Sequence, residues 1–123
     1  MNCVISSLFD TVPVPVMPIM THPGIELIGR RVIDAVTDGQ VHSDAILALR
    51  KAYPLSVAST TIMDLSVEAQ AFGAEVVFED NSVPTVTGRL LSSAQDVEGL
   101  ELPSLDRGRL PEYQRAVRLS APR

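Results

Sequence analysis

The chain has 123 residues, 15 of them acidic and 10 basic, for a formal net charge of −5, and 46% of its residues are hydrophobic. The apolar content excludes disorder for most of the length, and the acid excess argues against a nucleic-acid partner, because a phosphate backbone needs clustered Lys and Arg to replace its counterions. One domain at most fits, and with no Trp and 4% aromatics its core is aliphatic, a composition suited to parallel strands covered by helices.

Residues 1–12 read as a lead-in segment. They hold the single cysteine, Cys3, which leaves no internal disulfide and points to a reducing, cytoplasmic setting. Met1 to Met20 is apolar but lacks a basic n-region and carries Asp10, Pro13, Pro15 and Pro18, so it does not read as a signal peptide. No apolar run is long enough to span a bilayer.

A first strand is predicted over Val16–Met20 after the proline-rich approach, followed by a loop at Thr21, His22, Pro23 and Gly24. Ile25, Leu27, Ile28, Val32, Ile33 and Val36 recur at helical spacing, with Asp38 and Gly39 as a stop. A second helix is predicted from Ser43, as N-cap, to Tyr53, ended by Pro54. Leu55–Met63 is short, apolar and β-branched, as a buried parallel strand would be. Ser66 then caps a helix over Val67–Phe72 that Gly73 ends.

Ala74–Glu79 and Pro84–Thr87, joined through Asp80 and Asn81, read as a hairpin outside the main sheet. Ser93 and Asp96 form a capping-box pattern for a short helix closed by Gly99. Pro103–Gly108 is a linker, and Pro111 opens a last helix to about Leu119. Arg107, Arg109, Arg115, Arg118 and Arg123 make this end mildly basic, which is read as a solvated helix face. The order of elements is α/β and topologically unfinished, since two parallel strands cannot close a sheet.

Asp64 is the residue with the strongest chemical signal: a charge at the C-terminal end of an apolar strand and just before a helix, the edge where α/β folds bind ligands. The same position also suits a carboxylate that caps the following helix. His22, after the first strand, would face the same mouth, whereas His42 beside a helix N-cap reads as structural. Glu68 either points into that mouth or simply complements the helix dipole. Cys3, His22 and His42 lack metal-ligand spacing. The glycines form neither a dinucleotide fingerprint nor a phosphate loop, and no Gly-x-Ser-x-Gly elbow is present.

The stretch TTIMDLSVEAQAFGAEVVFEDNSVPTV, with Ile62, Met63, Asp64, Ala71, Phe72, Gly73, Val76, Phe78 and Pro84 in register, resembles the aspartate-bearing segment of the uroporphyrinogen decarboxylase superfamily. The likeness extends over residues 13–119, including Ser92, Ser93, Asp96 and Val97. It implies that residues 1–123 are a single partial domain, the N-terminal fragment of a (β/α)8 TIM barrel, whose full form needs about 250 residues.

The resemblance also implies roles. In the decarboxylase branch the aspartate matching Asp64 binds pyrrole N–H groups and stabilises a cationic ring; by their places at the mouth of a barrel, His22 and Glu68 are expected to bind substrate beside it. Where that branch carries an Arg-Gln-Ala-Gly-Arg motif, this chain has Met20, Thr21, His22, Pro23, Gly24 and Ile25. Val67, Glu68 and Ala69 look more like the methylcobalamin:coenzyme M methyltransferases and related corrinoid enzymes.

The expected function is therefore that of an N-terminal fragment of a corrinoid-dependent methyltransferase, moving a methyl group between methylcobalamin and a small acceptor. Uroporphyrinogen decarboxylation is the alternative within the superfamily, and a non-catalytic binding or self-association module is the alternative outside it. The fragment alone is expected to be inactive and to hold no cofactor, with the corrinoid substrate and a zinc ion belonging to the full-length parent. Its expected partners are the remainder of the barrel or a second copy, together with a small molecule, tetrapyrrole or corrinoid, and neither nucleic acid nor membrane.

Overall fold

The computed structural model describes residue 14 and residues 16–121. The expectations for the lead-in segment, Cys3 and Arg123 fall outside these. The chain is an α/β domain of helices and a small, unclosed two-stranded sheet, consistent with part of a (β/α)8 barrel. Its elements are α1 (His22–Leu27), α2 (Val32–Thr37), α3 (Gly39–Ala52), α4 (Ser66–Ala71), β1 (Glu75–Glu79), β2 (Ser82–Thr87), α5 (Ala94–Glu98) and α6 (Leu110–Ser120).

Helix α3 is the centre of the packing and touches α1, α2 and α6. Asp38 starts it by accepting the Gln40 N–H at 2.7 Å, a stronger signal than Ser43, so the helix begins four residues before the predicted N-cap. Ser43 is instead buried inside it. Buried His42, Ala45, Ile46 and Leu49 follow helical spacing, and Pro54 follows the C-cap Tyr53. The predicted helix over Ile25–Val36 is two helices, because Gly29 between them adopts φ +64°, a left-handed turn that halts α1.

Two close approaches fix α3. A Cβ on Gly24 of α1 would lie 2.3 Å from the Ala45 carbonyl oxygen, and one on Gly39 would lie 2.3 Å from that of Glu112 on α6. At the second crossing the Glu112 carboxylate also accepts the Gly39 N–H at 2.7 Å. The core formed around these contacts is Ile25, Val32, Ala35, Val36, Ala45 and Ile62.

The two predicted parallel strands lie side by side without a ladder. Val57 donates its N–H to the Val16 carbonyl at 3.1 Å, and the Thr21 hydroxyl donates to the Thr60 carbonyl at 2.9 Å. The paired positions ascend together, so both stretches run in the same direction. Pro18 contributes no N–H, and among the described residues no further strand flanks the pair to extend a ladder. The predicted hairpin is present, with β1 and β2 antiparallel, Val76 opposite Val86, and an irregularity between Val77 and Glu79. Its Phe78 and Val83 pack on the core.

The remaining helices follow their local signals. Ser93 and Asp96 close a capping box on α5, which buries none of its residues, and Pro111 sits in the first turn of α6. None of the helices among the described residues is long and apolar enough to cross a membrane.

Gly39→Ala is expected to destabilise the domain by about 1–3 kcal/mol, because backbone on α6 must move to admit the methyl group. Gly99→Ala, whose Cβ would meet nothing closer than 3.7 Å, should change stability by no more than about 0.5 kcal/mol. Urea midpoints that place the two variants level would refute the close-approach reading.

Candidate functional site

Asp64 follows the apolar stretch 55–63 and precedes α4, as expected, and its side chain exposes no surface. It is enclosed, however, by groups from three parts of the chain. Oδ1 accepts the Ser66 backbone N–H at 3.0 Å and the Ser66 hydroxyl at 2.5 Å. Oδ2 accepts Arg109 Nη1 at 2.6 Å and the Tyr113 hydroxyl at 2.9 Å. Four donors therefore occupy a group whose capacity is about four lone-pair sites.

Arg109, immediately before α6, is equally committed. Nε donates to Gln70 Oε1 at 2.8 Å, Nη2 donates to the Ser66 hydroxyl at 2.6 Å, and the guanidinium stands 5.0 Å from the centre of the Phe78 ring. The planar fork thus bridges Asp64, α4 and the hairpin, a geometry that suits Arg and not Lys. Arg109 is only 6% exposed, which corrects the reading of the basic C-terminal residues as one solvated face. Arg107, Arg115 and Arg118 are exposed.

Burial alone would raise the Asp64 pKa, but the hydrogen bonds from Ser66, Arg109 and Tyr113 and the positive charge of Arg109 outweigh it and hold the carboxyl below its ordinary range. Asp64 is an anion at neutral pH and a poor proton carrier. Tyr113 is pushed upward, first by burial and then by the adjacent carboxylate, so it stays a hydrogen-bond donor. His42 is fully buried. Its Nε2 accepts the Ile62 N–H at 3.0 Å, and its ring meets Tyr113 edge-on with centroids 4.9 Å apart. Burial pushes its pKa down to about 4 against the opposing pull of Asp64.

The other expected site residues are not brought to Asp64. His22 is exposed on the first turn of α1 and Glu68 is exposed on α4, and neither side chain joins the network. Sequence reasoning missed Arg109, Tyr113 and Gln70. The one local signal was the Asp-x-Ser spacing of Asp64 and Ser66, whose serine read as a helix cap and in fact turns its hydroxyl to the carboxylate. Among the described residues, no group of three His, Cys, Asp or Glu side chains could hold a metal ion. A groove of about 350 Å³ borders residues 56–61 between α3 and α6, and Asp64 does not line it.

Arg109→Met should cost about 3–5 kcal/mol, because it strands a buried carboxylate, whereas Tyr113→Phe removes one donor and should cost about 1–3 kcal/mol. Urea unfolding that ranked the two the other way would refute the central role of the ion pair. Stability should also fall on acidification. His42 has a folded pKa of about 4, below its ordinary 6.5, so its contribution is full above the higher value and is lost as pH drops towards the lower. Asp64, also depressed, adds a loss at still lower pH. A urea midpoint that stayed flat from neutral pH to about 4 would contradict this assignment.

No protein of curated function matches the chain. Among solved structures, a methyltransferase from Methanosarcina mazei superposes with a TM-score of 0.71 at 25% sequence identity, over 87% of this chain and 33% of that one. The chain thus spans about a third of that methyltransferase's length. The sequence profile described as uroporphyrinogen decarboxylase (URO-D) matches residues 8–123. With the match running through α1 to α6 and the Asp64 site, the chain belongs to the uroporphyrinogen decarboxylase family.

Proposed function

We propose that this chain forms the N-terminal part of a corrinoid-dependent methyltransferase barrel, in which a methyl group passes between methylcobalamin and a small acceptor such as a thiol. In that transfer the cobalt–carbon bond breaks with its electron pair left on cobalt, a sulfur–carbon bond forms, and the thiol proton is released. Asp64 serves as a fixed negative charge near the reaction site, and His22 and Glu68, at the exposed starts of α1 and α4, contact substrate. The supporting observation is the saturated state of the Asp64 carboxylate. A decarboxylase aspartate must accept pyrrole N–H groups, and here four donors from Ser66, Arg109 and Tyr113 already fill the acceptor sites. The likeness to the Methanosarcina mazei methyltransferase points the same way.

A second reading, a self-associating module without catalysis, is favoured by the exposed apolar side chains Val14, Val16 and Leu55 around one concave patch.

The test is thiol-dependent demethylation of methylcobalamin, followed anaerobically by absorbance in a complete barrel carrying this chain. Turnover is expected, with Asp64→Asn slower by about 10²–10³-fold, the usual effect of losing one preorganised electrostatic group. Decarboxylation of uroporphyrinogen in place of methyl transfer would overturn the proposal in favour of the decarboxylase branch. Inactivity in both assays, with the 123-residue chain sedimenting as a stable assembly, would favour the second reading.

A further inference from the structure

The Ile62 amide is buried, and among the described residues no strand neighbour supplies an acceptor for it. It is satisfied by a side chain 20 residues earlier, Nε2 of His42 on α3, at 3.0 Å. Ile62 stands two residues before Asp64, so this bond fixes the backbone that delivers the carboxylate. The same imidazole lies edge-on to the Tyr113 ring at 4.9 Å and 88°, and the Tyr113 hydroxyl donates to Asp64 Oδ2 at 2.9 Å. Two separate routes to one carboxylate, through backbone and through phenol, start from a single buried ring.

We propose that His42 is a positioning residue for Asp64, holding the end of the 55–63 segment through Ile62 and the orientation of the Tyr113 phenol through ring contact. An acceptor at Nε2 requires that nitrogen to be unprotonated, so the neutral ring carries its hydrogen on Nδ1. That atom is buried without a partner, a penalty that an apolar residue filling the same space would not incur. The position therefore requires an acceptor and not merely volume.

The surrounding groups leave the ring neutral. Asp64 pulls on it from the end of the segment, and burial of the ring outweighs that pull. Tyr113 is the titratable group facing it from α6. On α2, Asp34 is tied to Arg31, and on α1 His22 and Glu26 are exposed. Protonating Nε2 would set two N–H donors against each other, release Ile62, and put a charge beneath Tyr113.

The test is a pH titration of the 123-residue chain by NMR, following the His42 imidazole, the Ile62 amide and the Asp64 carboxyl carbon, with amides of the β1–β2 hairpin as a control. In the wild type, the His42 imidazole and the Ile62 amide should shift with one midpoint near 4, and the Asp64 carboxyl carbon should show an inflection at that same pH beside its own protonation at lower pH, while the hairpin amides stay in place. His42→Gln keeps an acceptor for the Ile62 N–H but does not titrate, so that midpoint should vanish from Ile62 and Asp64.

Identical Asp64 titrations in wild type and H42Q would overturn the proposal, as would a single unfolding step that moves every resonance together. If H42Q does not fold, the wild type decides: an Asp64 inflection at the His42 midpoint supports the coupling, and its absence refutes it. The bearing on catalysis rests on the role proposed for Asp64. The readouts involve no methyl donor, so a failed methyl-transfer assay and a failed coupling are separate results.

Discussion

The buried pair between Asp64 and Arg109 is the constraint around which the rest of this domain is arranged. Asp64 exposes no side-chain surface and Arg109 almost none, and a charge in such a place is tolerated only when paired and hydrogen-bonded. Ser66, Gln70, Tyr113 and the face of Phe78 supply those bonds and contacts. They come from α4, α6 and the hairpin, three elements that the ion pair ties together. An apolar pair in the same space would pack, but it would not specify which helix turn faces which. The fork of the guanidinium does, since it fits its partners in one orientation.

That arrangement changes how Asp64 can serve a reaction. An acid meant to hand protons to substrate needs its pKa raised towards neutrality, whereas every partner of Asp64 lowers it. On the role proposed for it, its use is electrostatic: a charge of fixed sign and position, requiring no reorganisation when charge develops nearby. On that proposal such a charge shapes the field around the methyl group in transit.

Much of the architecture was legible because it is locally encoded. The capping box at Ser93 and Asp96, the hairpin around Asp80 and Asn81, and the helix begun by Pro111 each depend on neighbours within a few residues. The position of Asp64 between an apolar stretch and a helix was legible for the same reason. Its partners were not: Arg109 and Tyr113 lie 45 and 49 residues away in sequence, and an arginine among other arginines carries no local mark of burial. The strand readings failed in the other direction. Residues 16–20 and 55–63 have strand composition, but a ladder is a property of neighbouring chains and not of one segment. The break at Gly29, set by its backbone, and the early start of α3 at Asp38, set by its side-chain cap, each override the reading that apolar periodicity alone supports.

The bond from the Gly39 amide to the Glu112 carboxylate joins the positive end of α3 to the first turn of α6. Fraying at the start of the central helix and undocking of the last one are thereby the same event, because neither end can loosen while the shared anion stays in place. Amide exchange in the two turns should proceed with one opening free energy, as a single cooperative unit. The C-terminal helix, distant in sequence, thus acts as a clasp on the start of the central helix.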